Sequence, residues 1–285
     1  MNSVESIVAR SLTDPTFLEA LIANPNKALD SGCLDSKAKS EFLVADLAKL
    51  RAFSGFICKV QHNFLWESLP ATRKLLAFFG MEIELFAAYR KTQISHKTKN
   101  EERRISIVRF IDFLKSYSKR KQEPPFQIVH EVLRHERASW EARLTLQATP
   151  RPSAISGSTD KVTTWSELRR LRPIVNGSMA LHEFSWDPTV VAAAALEERF
   201  DGKKPRQRPV ILGYWGDSSS SQARILRLER FEASVLCWVD GRRAIRQIVD
   251  KVRRMSPGDL RPKDFQGLFE SMAEAGILRL SVTRS

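Results

Sequence analysis

The feature that most constrains the fold is the hydrophobic pattern of residues 224–282, which begins with the period of a strand and continues with the period of a helix. Residues 224–229 alternate, with Leu226 and Leu228 on one side, which predicts a half-buried strand. Three apolar stripes at helical spacing follow and predict three short helices. Their residues are Phe231, Val235, Trp238 and Val239, then Ile245, Ile248, Val249 and Val252, then Phe265, Leu268, Phe269, Met272 and Ala273.

Turn-forming residues separate these helices. Asp240-Gly241 and the Ser-Pro-Gly-Asp run at 256–259 break the chain, and Gly276 precedes a possible return strand at 277–282. Pro262 suits the first turn of the third helix, where its missing N–H costs nothing. Three short helices with a few strands predict a winged-helix-like α+β unit. That pattern is shared by many DNA-binding domains and by one class of peptide-binding domain.

The junction between strand and helices resembles the peptide-binding class. The segment LRLERFEASVLCWVDGRRAIRQIV is similar to PqqD-like RiPP recognition elements, with Val239-Asp240-Gly241-Arg242-Arg243 at the family's Asp-Gly-Arg position. The resemblance implies that a leader peptide adds as an extra strand beside the strand before the first helix, over the third helix. The residues then expected to bind peptide are Arg224, Ile225, Leu226, Arg227, Leu228, Glu229, Phe265, Leu268 and Met272.

Length and composition favour a two-domain protein of the cytoplasm. The chain has 285 residues, is 42% hydrophobic and contains no run that approaches 18 apolar residues. Its first residues carry Glu5 and Asp14 and lack the apolar core of a signal peptide. Cys33, Cys58 and Cys237 lie far apart in apolar surroundings, which predicts free buried thiols in a reducing compartment.

The remaining pattern predicts a helical domain over residues 1–148, a linker over 149–162 and the winged-helix-like domain over 163–285. Residues 38–65 read as one long helix or a broken pair, and a further helix is expected from Pro70 through Tyr89. The linker is rich in Pro, Ser, Thr and Gly. Beyond it, Pro173 is expected to follow a short helix, residues 179–186 to form a strand, and residues 209–215 to pair with 224–229 as a hairpin.

Chemistry of the chain's own is not indicated. His130 and His135 in the segment HEVLRHE are five residues apart, about 140° further round a helix, so one regular helix cannot aim both at one metal. The sequence contains no phosphate-binding glycine loop, no Gly-x-Ser-x-Gly elbow and no Cys-x-x-Cys pair. We therefore expect a non-catalytic chain without a metal or cofactor of its own.

A wider resemblance covers most of residues 70–285. The segments KLLAFFGMEIELFAAYR, RRISIVRFIDFLKS, PPFQIVHEVLRHERASWEARL and RPIVNGSMALHEFSWDPTVVAAAAL are similar to accessory proteins of multinuclear non-haem iron oxygenases in peptide-modification clusters, as in 3-thiaglutamate biosynthesis. The resemblance implies a heterodimer. The partner would hold iron and excise the β-carbon of a C-terminal cysteine, while this chain binds the precursor or scaffold peptide. His130, His135 and Glu136 are the first candidates for the partner interface.

The charge leaves a rival interpretation open. The net charge of the whole chain is +13, and it is unevenly distributed: residues 1–90 are near neutral, residues 91–150 carry about +6 and residues 151–285 about +7. Such a basic surface favours acidic partners of several kinds. The rival is a winged-helix DNA-binding regulator, because the second helix carries six cations. These are Arg242, Arg243, Arg246, Lys251, Arg253 and Arg254. The third helix carries Asp264, Glu270 and Glu274 as well as Lys263, so it is a poor reader of bases, and nucleic acid is not the expected partner. A structural adaptor without a peptide role is a third interpretation.

Overall fold

The computed structural model describes residues 4–30, 36–44, 46–61, 63–92, 103–120, 123–148, 164–216, 223–255 and 260–281. Its fold class is α+β, as predicted, with mostly helical secondary structure and small antiparallel sheets. By its contacts the chain divides into two compact units. One comprises Met1–Leu133 with Val191–Lys204, and the other comprises Arg134–Val190 with Pro205–Ser285. In the described part of the chain, no helix has the length and apolar character needed to cross a membrane.

Helices make up the described secondary structure of the first unit, in agreement with the expected absence of strands there. Their bounds are α1 Val4–Thr13, α2 Pro15–Ala23, α3 Pro25–Asp30, α4 Ser36–Leu43, α5 Leu47–Gln61, a 3-10 turn Asn63–Glu67, α6 Pro70–Phe78, α7 Glu82–Thr92, α8 Arg103–Arg120 and α9 Pro124–Ala148. Asp14 begins α2, since its carboxylate accepts from the N–H groups of Thr16 and Phe17 at 3.0 and 3.1 Å.

The helix expected from Pro70 through Tyr89 is in fact two helices. Gly80 has φ +67 between α6 and α7, a conformation that ends a helix and that glycine adopts without strain. The apolar stripe continues across the break, so periodicity alone did not reveal it. The long helix or broken pair expected over residues 38–65 is a broken pair, α4 and α5, followed by the 3-10 turn.

An aromatic cluster forms the centre of the first unit. Trp66 meets Phe86 and Phe110 edge-on at centroid distances of 5.4 and 5.3 Å, and Tyr89 meets Phe110 at 4.9 Å. These four residues are at most 2% exposed. Of the aromatic residues on and between α6 and α7, Phe86 is fully buried, Phe79 is half-buried and Phe78 is 54% exposed.

The second unit contains the strands. Its elements are the C-terminal half of α9, α10 Trp165–Leu168, β1 Arg172–Val175, β2 Ser178–Phe184, β3 Val210–Gly216, β4 Ala223–Leu228, α12 Arg230–Leu236, α13 Ile245–Met255, α14 Pro262–Glu274 and β5 Leu278–Ser281. Helix α11, Pro188–Leu196, begins in this unit and ends in the other. The predicted hairpin is present, because β3 and β4 pair antiparallel with Gly213 opposite Leu226.

The three-stranded sheet has the order β2-β3-β4, and helices pack against part of each of its faces. On one face, Ala138 and Ala142 of α9 pack against Phe184, Leu212 and Tyr214. On the other, Trp215 and Leu228 join the core that α12, α13 and α14 build. The alternation of β3 explains both contacts, since Leu212 and Tyr214 point one way and Trp215 the other.

The second, smaller sheet was not predicted as such. Pro173, expected beyond the end of a helix, lies inside β1, which pairs antiparallel with β5 from Arg172 opposite Ser281 to Val175 opposite Leu278. The return strand expected at 277–282 is β5. In the described residues β1 pairs with β5 alone, so it is an edge strand, where proline is tolerated.

The predicted domain limits and these units differ in where they divide the chain. The boundary between the two compact units lies at residues 133–134, within α9, and residues 191–204 belong to the first unit. The sequence predicted that the first domain would end at residue 148. The predicted linker at 149–162 and the predicted break at 256–259 lie outside the described residues. Of the cysteines, Cys58 is buried as expected, but Cys237 at the end of α12 is exposed, which corrects the expectation of buried thiols.

Candidate functional site

Strand β4 lies at one edge of the three-stranded sheet. Among the described residues it pairs with β3 alone, from Ile211 opposite Leu228 to Gly216 opposite Ala223. In an antiparallel pair, the N–H and C=O groups of every second residue point away from the neighbouring strand. In the described part of the chain no second strand pairs with the outer side of β4, and its outward main-chain groups are those that an added strand would use.

The side chains of β4 alternate between the two faces of the sheet. Leu228 is 8% exposed and lies in the core with α12, α13 and α14, and Leu226 is half-buried against the same core. Ile225 and Arg227 point to the other face, where Ile225 is 42% exposed and the Arg227 side chain is 60% exposed. The predicted alternation of residues 224–228 is thus observed.

Glu229, grouped with the strand in the sequence interpretation, begins helix α12 instead. It occupies the N-cap position, and its N–H donates to Glu232 Oε2 at 2.8 Å in a capping box. The local signal was present in the sequence as two glutamates three residues apart. A peptide strand added beside β4 would therefore pair only as far as Leu228, where the strand ends and helix α12 begins.

Two residues that the sequence interpretation missed help to position β4. A Cβ on Gly213 would lie 3.1 Å from Leu228 Cδ1 and 3.4 Å from Leu181 Cδ2, so glycine leaves room for both leucines. Trp215 donates its indole N–H to the Asn176 carbonyl at 2.6 Å, and the Arg224 guanidinium lies 5.3 Å from its ring centroid. Sequence alone signalled neither role, because both depend on cross-strand neighbours.

The expected floor of the site is inside the core. Phe265, Leu268 and Met272 on α14 are 0%, 9% and 5% exposed. Phe265 meets Phe231 of α12 edge-on at 5.0 Å, which ties the third predicted helix to the first. These three side chains therefore support the layer beneath the sheet and offer little surface of their own. Their contact with a peptide stays a prediction.

The Asp240-Gly241-Arg242-Arg243 junction is a tight, hydrogen-bonded turn. Asp240 Oδ1 accepts from the N–H groups of Arg242 and Arg243 at 2.9 and 3.0 Å, and the Arg243 guanidinium reaches its other oxygen at 2.8 Å. The Arg243 N–H, followed by that of Arg242, holds the pKa of the Asp240 carboxyl below its usual range. Gly241 has φ +73 and packs on Ile174, since a Cβ there would lie 3.4 Å from Ile174 Cγ1.

Helix α13 presents a cationic face to solvent. Ile245, Ile248, Val249 and Val252 are buried, and the charged residues lie on the opposite side. Of the six cations that the sequence placed on this helix, Arg242 and Arg243 precede it in the turn, and Arg246, Lys251, Arg253 and Arg254 lie on α13. Lys251 and, from the turn, Arg243 lie 5.5 and 5.1 Å from the Trp238 centroid, and Arg253 lies 5.6 Å from that of Phe265. This face is suited to an acidic partner.

The residues proposed for the partner interface are mostly buried. His135 is 7% exposed, and its Nδ1 lies 2.8 Å from the Tyr214 hydroxyl oxygen. Burial lowers the pKa of His135 to about 4, so its imidazole is neutral at physiological pH. Glu136 is 8% exposed, and His130 is half-buried, with its Nδ1 3.0 Å from Ser118 Oγ. In the structure described, His135 and Glu136 offer little surface to another protein.

No group of three or more His, Cys, Asp or Glu side chains in the described residues is arranged to hold a metal ion. His62 and His96, the two histidines of the chain other than His130, His135 and His182, lie outside the described residues. Comparison of the whole chain with protein-family models, curated proteins and solved structures finds no match.

Proposed function

We propose that this chain is a non-catalytic accessory subunit that binds a ribosomally made precursor or scaffold peptide by β-augmentation. The peptide adds as a strand beside β4, and its C-terminal cysteine reaches a partner iron oxygenase that excises the β-carbon, as in 3-thiaglutamate-type biosynthesis. The observation that carries this proposal is the edge position of β4, the strand that immediately precedes α12.

The order of elements supports the proposal. The antiparallel sheet β2-β3-β4 is followed by α12, α13 and α14, the arrangement expected of a winged-helix-like recognition element. The Asp-Gly-Arg junction, through which the sequence resembles that family, is a turn that needs a positive φ at Gly241. These features agree with the resemblance at the positions where it is strongest.

The physical role of such a subunit is to hold a peptide by its remote part. Binding the leader raises the effective concentration of the reacting end at the partner's active site, so chemistry and recognition can lie on different chains. The cationic excess of this chain suits an acidic peptide, which electrostatic attraction brings in faster at low salt. Iron belongs to the partner in this proposal.

Proline substitution on β4 tests the docking edge. Neighbouring residues of a strand point their N–H groups in opposite directions. Proline lacks this N–H, so one of the variants Ile225→Pro and Leu226→Pro removes an N–H that points outward, and the other removes an N–H that points towards β3. Binding of labelled precursor peptides, encoded beside the gene for this chain, is measured by titration. We expect the variant that retains its thermal unfolding transition to lose at least about tenfold in affinity.

Peptide N-methylation provides the second arm, should both proline variants unfold. Methylating every second amide of the bound segment should abolish binding in one frame and spare it in the other, because only alternate amides face β4. Equal affinity in both frames, or unchanged affinity in a folded proline variant, would refute binding beside β4.

Co-purification tests the partner. The tagged chain should retain the oxygenase subunit encoded nearby, and elemental analysis should find stoichiometric iron in the complex and neither iron nor zinc in this chain expressed alone. Iron or zinc held stoichiometrically by this chain alone would contradict the division of labour proposed above.

A winged-helix DNA-binding regulator is the second candidate, and the exposed cationic face of α13 favours it. Against it, α14 carries exposed carboxylates at both ends, Asp264 next to Lys263 and Glu274 at the last turn, and these charges repel a phosphate backbone. The distinguishing measurement is a mobility-shift titration at physiological salt with promoter fragments from the same cluster. Sequence-selective retardation would support the regulator, and its absence would support the peptide-binding subunit.

A further inference from the structure

We infer that the strand recognised by β4 carries two adjacent apolar residues flanked on each side by an acidic residue. This inference rests on the proposed function and adds the chemistry of the bound segment. The edge sequence Arg224-Ile225-Leu226-Arg227 places two apolar side chains between two cations. A peptide strand beside it meets those four residues in order.

The burial pattern shows what each of the four positions can contact. Arg224 is exposed, Ile225 is 42% exposed, Leu226 is half-buried and the Arg227 side chain is 60% exposed. Ile225 shares its sheet face with Arg227, and Leu226 shares the opposite face with Arg224. Two neighbouring peptide residues would therefore place one apolar side chain beside Ile225 and the next beside Leu226, on opposite faces.

The two arginines are positioned by contacts within the second unit. Arg227 pairs with Asp187, whose Oδ1 also accepts from the N–H of Thr189 at 3.0 Å and from its hydroxyl at 2.6 Å. Arg224 lies over the Trp215 ring at 5.3 Å. Arg224 is exposed and the Arg227 side chain is 60% exposed, so a peptide carboxylate can approach either guanidinium.

The pattern is independent of strand direction. The sequence of cation, apolar residue, apolar residue and cation is the same when read from either end of β4. A peptide that adds parallel or antiparallel thus needs the same complement, which is acid, apolar, apolar and acid. The inference can accordingly be tested before the direction of the bound peptide is known.

Two synthetic peptides of identical composition test the register of these charges. Both are ten residues long, labelled with fluorescein and framed by Gly-Ser-Thr on each side, with the core Glu-Val-Val-Glu in one and Val-Glu-Glu-Val in the other. Titration with the full-length chain at low salt should give at least about fivefold tighter binding of Glu-Val-Val-Glu. Nonspecific attraction to a basic protein would treat the two alike, since their net charges are equal.

A charge-reversal variant gives the matched test on the protein. In R224E/R227E the preference should change to a third peptide, with the core Lys-Val-Val-Lys. The control variant R246E/R254E makes the same change in net charge on α13 and should retain the preference of the original chain. Exchange of specificity in the first variant alone supports the inference.

The outcomes separate this inference from the proposed function. If the chain binds the two glutamate peptides with equal affinity, the predicted acidic pattern is wrong. If the folded proline variant of β4 then binds neither peptide, β-augmentation is still supported. No measurable binding of either peptide up to about 1 mM would also overturn the pattern. In that case the proposed function is decided by the precursor-peptide titration.

Discussion

The imidazole of His135 and the hydroxyl of Tyr214 lie 2.8 Å apart, Nδ1 to oxygen, in the interior of the second unit. This pair joins helix α9 to strand β3, beside the apolar contacts of Ala138 and Ala142 with the same sheet face. Because Tyr214 is fully buried, its hydroxyl would otherwise face a loss of hydration without compensation. The hydrogen bond therefore couples the helix to the sheet that contains β4, the proposed docking edge.

Acid should destabilise the second unit through His135. Burial lowers its folded-state pKa to about 4 from an ordinary value of 6.5, so the unfolded chain binds the additional proton between those values. The contribution is complete above about pH 6.5 and is lost as the pH falls towards 4, by roughly 3 kcal/mol. Urea unfolding across this range should show the slope.

His135→Gln is the matched control, because glutamine can hydrogen bond to Tyr214 but does not titrate. Its unfolding free energy should be lower at neutral pH and vary less between pH 6.5 and 4. His182, whose pKa is also lowered, by burial and then by Arg134, contributes a slope of the same sign in both proteins. An unchanged slope in the variant would remove His135 as the source.

Two glycines of the second unit should respond in opposite directions to alanine. Gly241 has φ +73 and meets Ile174, so Gly241→Ala should destabilise by about 1–2 kcal/mol. Gly267 lies inside helix α14, and a methyl group added there would point into open space, so Gly267→Ala should stabilise by about 0.5–1 kcal/mol. Thermal unfolding of the two variants should shift in opposite senses.

Truncating the buried side chains of α14 that were expected to form the floor of the site should lower the unfolding free energy, so a loss of peptide affinity in such a variant would not by itself show direct contact. Phe265 is fully buried against Phe231, so Phe265→Ala should cost about 3–5 kcal/mol in unfolding free energy. Met272→Leu nearly conserves volume and should cost less than about 1.5 kcal/mol. Lost peptide affinity in a fully folded Met272→Leu variant would support direct contact, and equal affinity would assign α14 a supporting role.

Two Lys–Glu pairs of the first unit differ in burial and should differ in effect. Glu82, with its side chain 10% exposed, contacts Lys59 and lies 3.6 Å from Arg73 Nε. Glu82→Gln leaves a partly buried lysine without its anion and should cost about 1–3 kcal/mol. Glu198 is 2.5 Å from Lys74, but its side chain is 75% exposed, so Glu198→Gln should leave the unfolding transition unchanged within error.

Local pattern was sufficient to predict the elements around the docking edge. The alternation of residues 224–228 and the three apolar stripes predicted β4, α12, α13 and α14, because each element buries one side against a single core. The second helix is the clearest case, with its cations on one side and its aliphatic residues on the other. Trp238 and Val239 continue the stripe of α12 beyond its end at Leu236, so the stripe overestimated that helix.

Features that depend on distant neighbours could not be predicted in the same way. Strand β1 has only four residues and contains Pro173, so it carries no alternation to recognise, and its partner β5 follows more than a hundred residues later. The contact of His135 with Tyr214 likewise joins residues 79 positions apart. The apolar stripe of α14 predicted that Phe265, Leu268 and Met272 are buried. Whether these side chains can also contact a bound peptide depends on how α14 packs against the sheet, which the stripe does not specify.

The pairing of β1 with β5 has a consequence for biosynthesis. Arg172 and Ser281 are 109 positions apart, so β1 leaves the ribosome long before the strand that completes its hydrogen bonding. The intervening sheet and helices can collapse first, but closure of this contact waits for nearly the last part of the unit to be translated. Until then β1 lacks its partner strand, and an unpaired strand edge can pair with another chain.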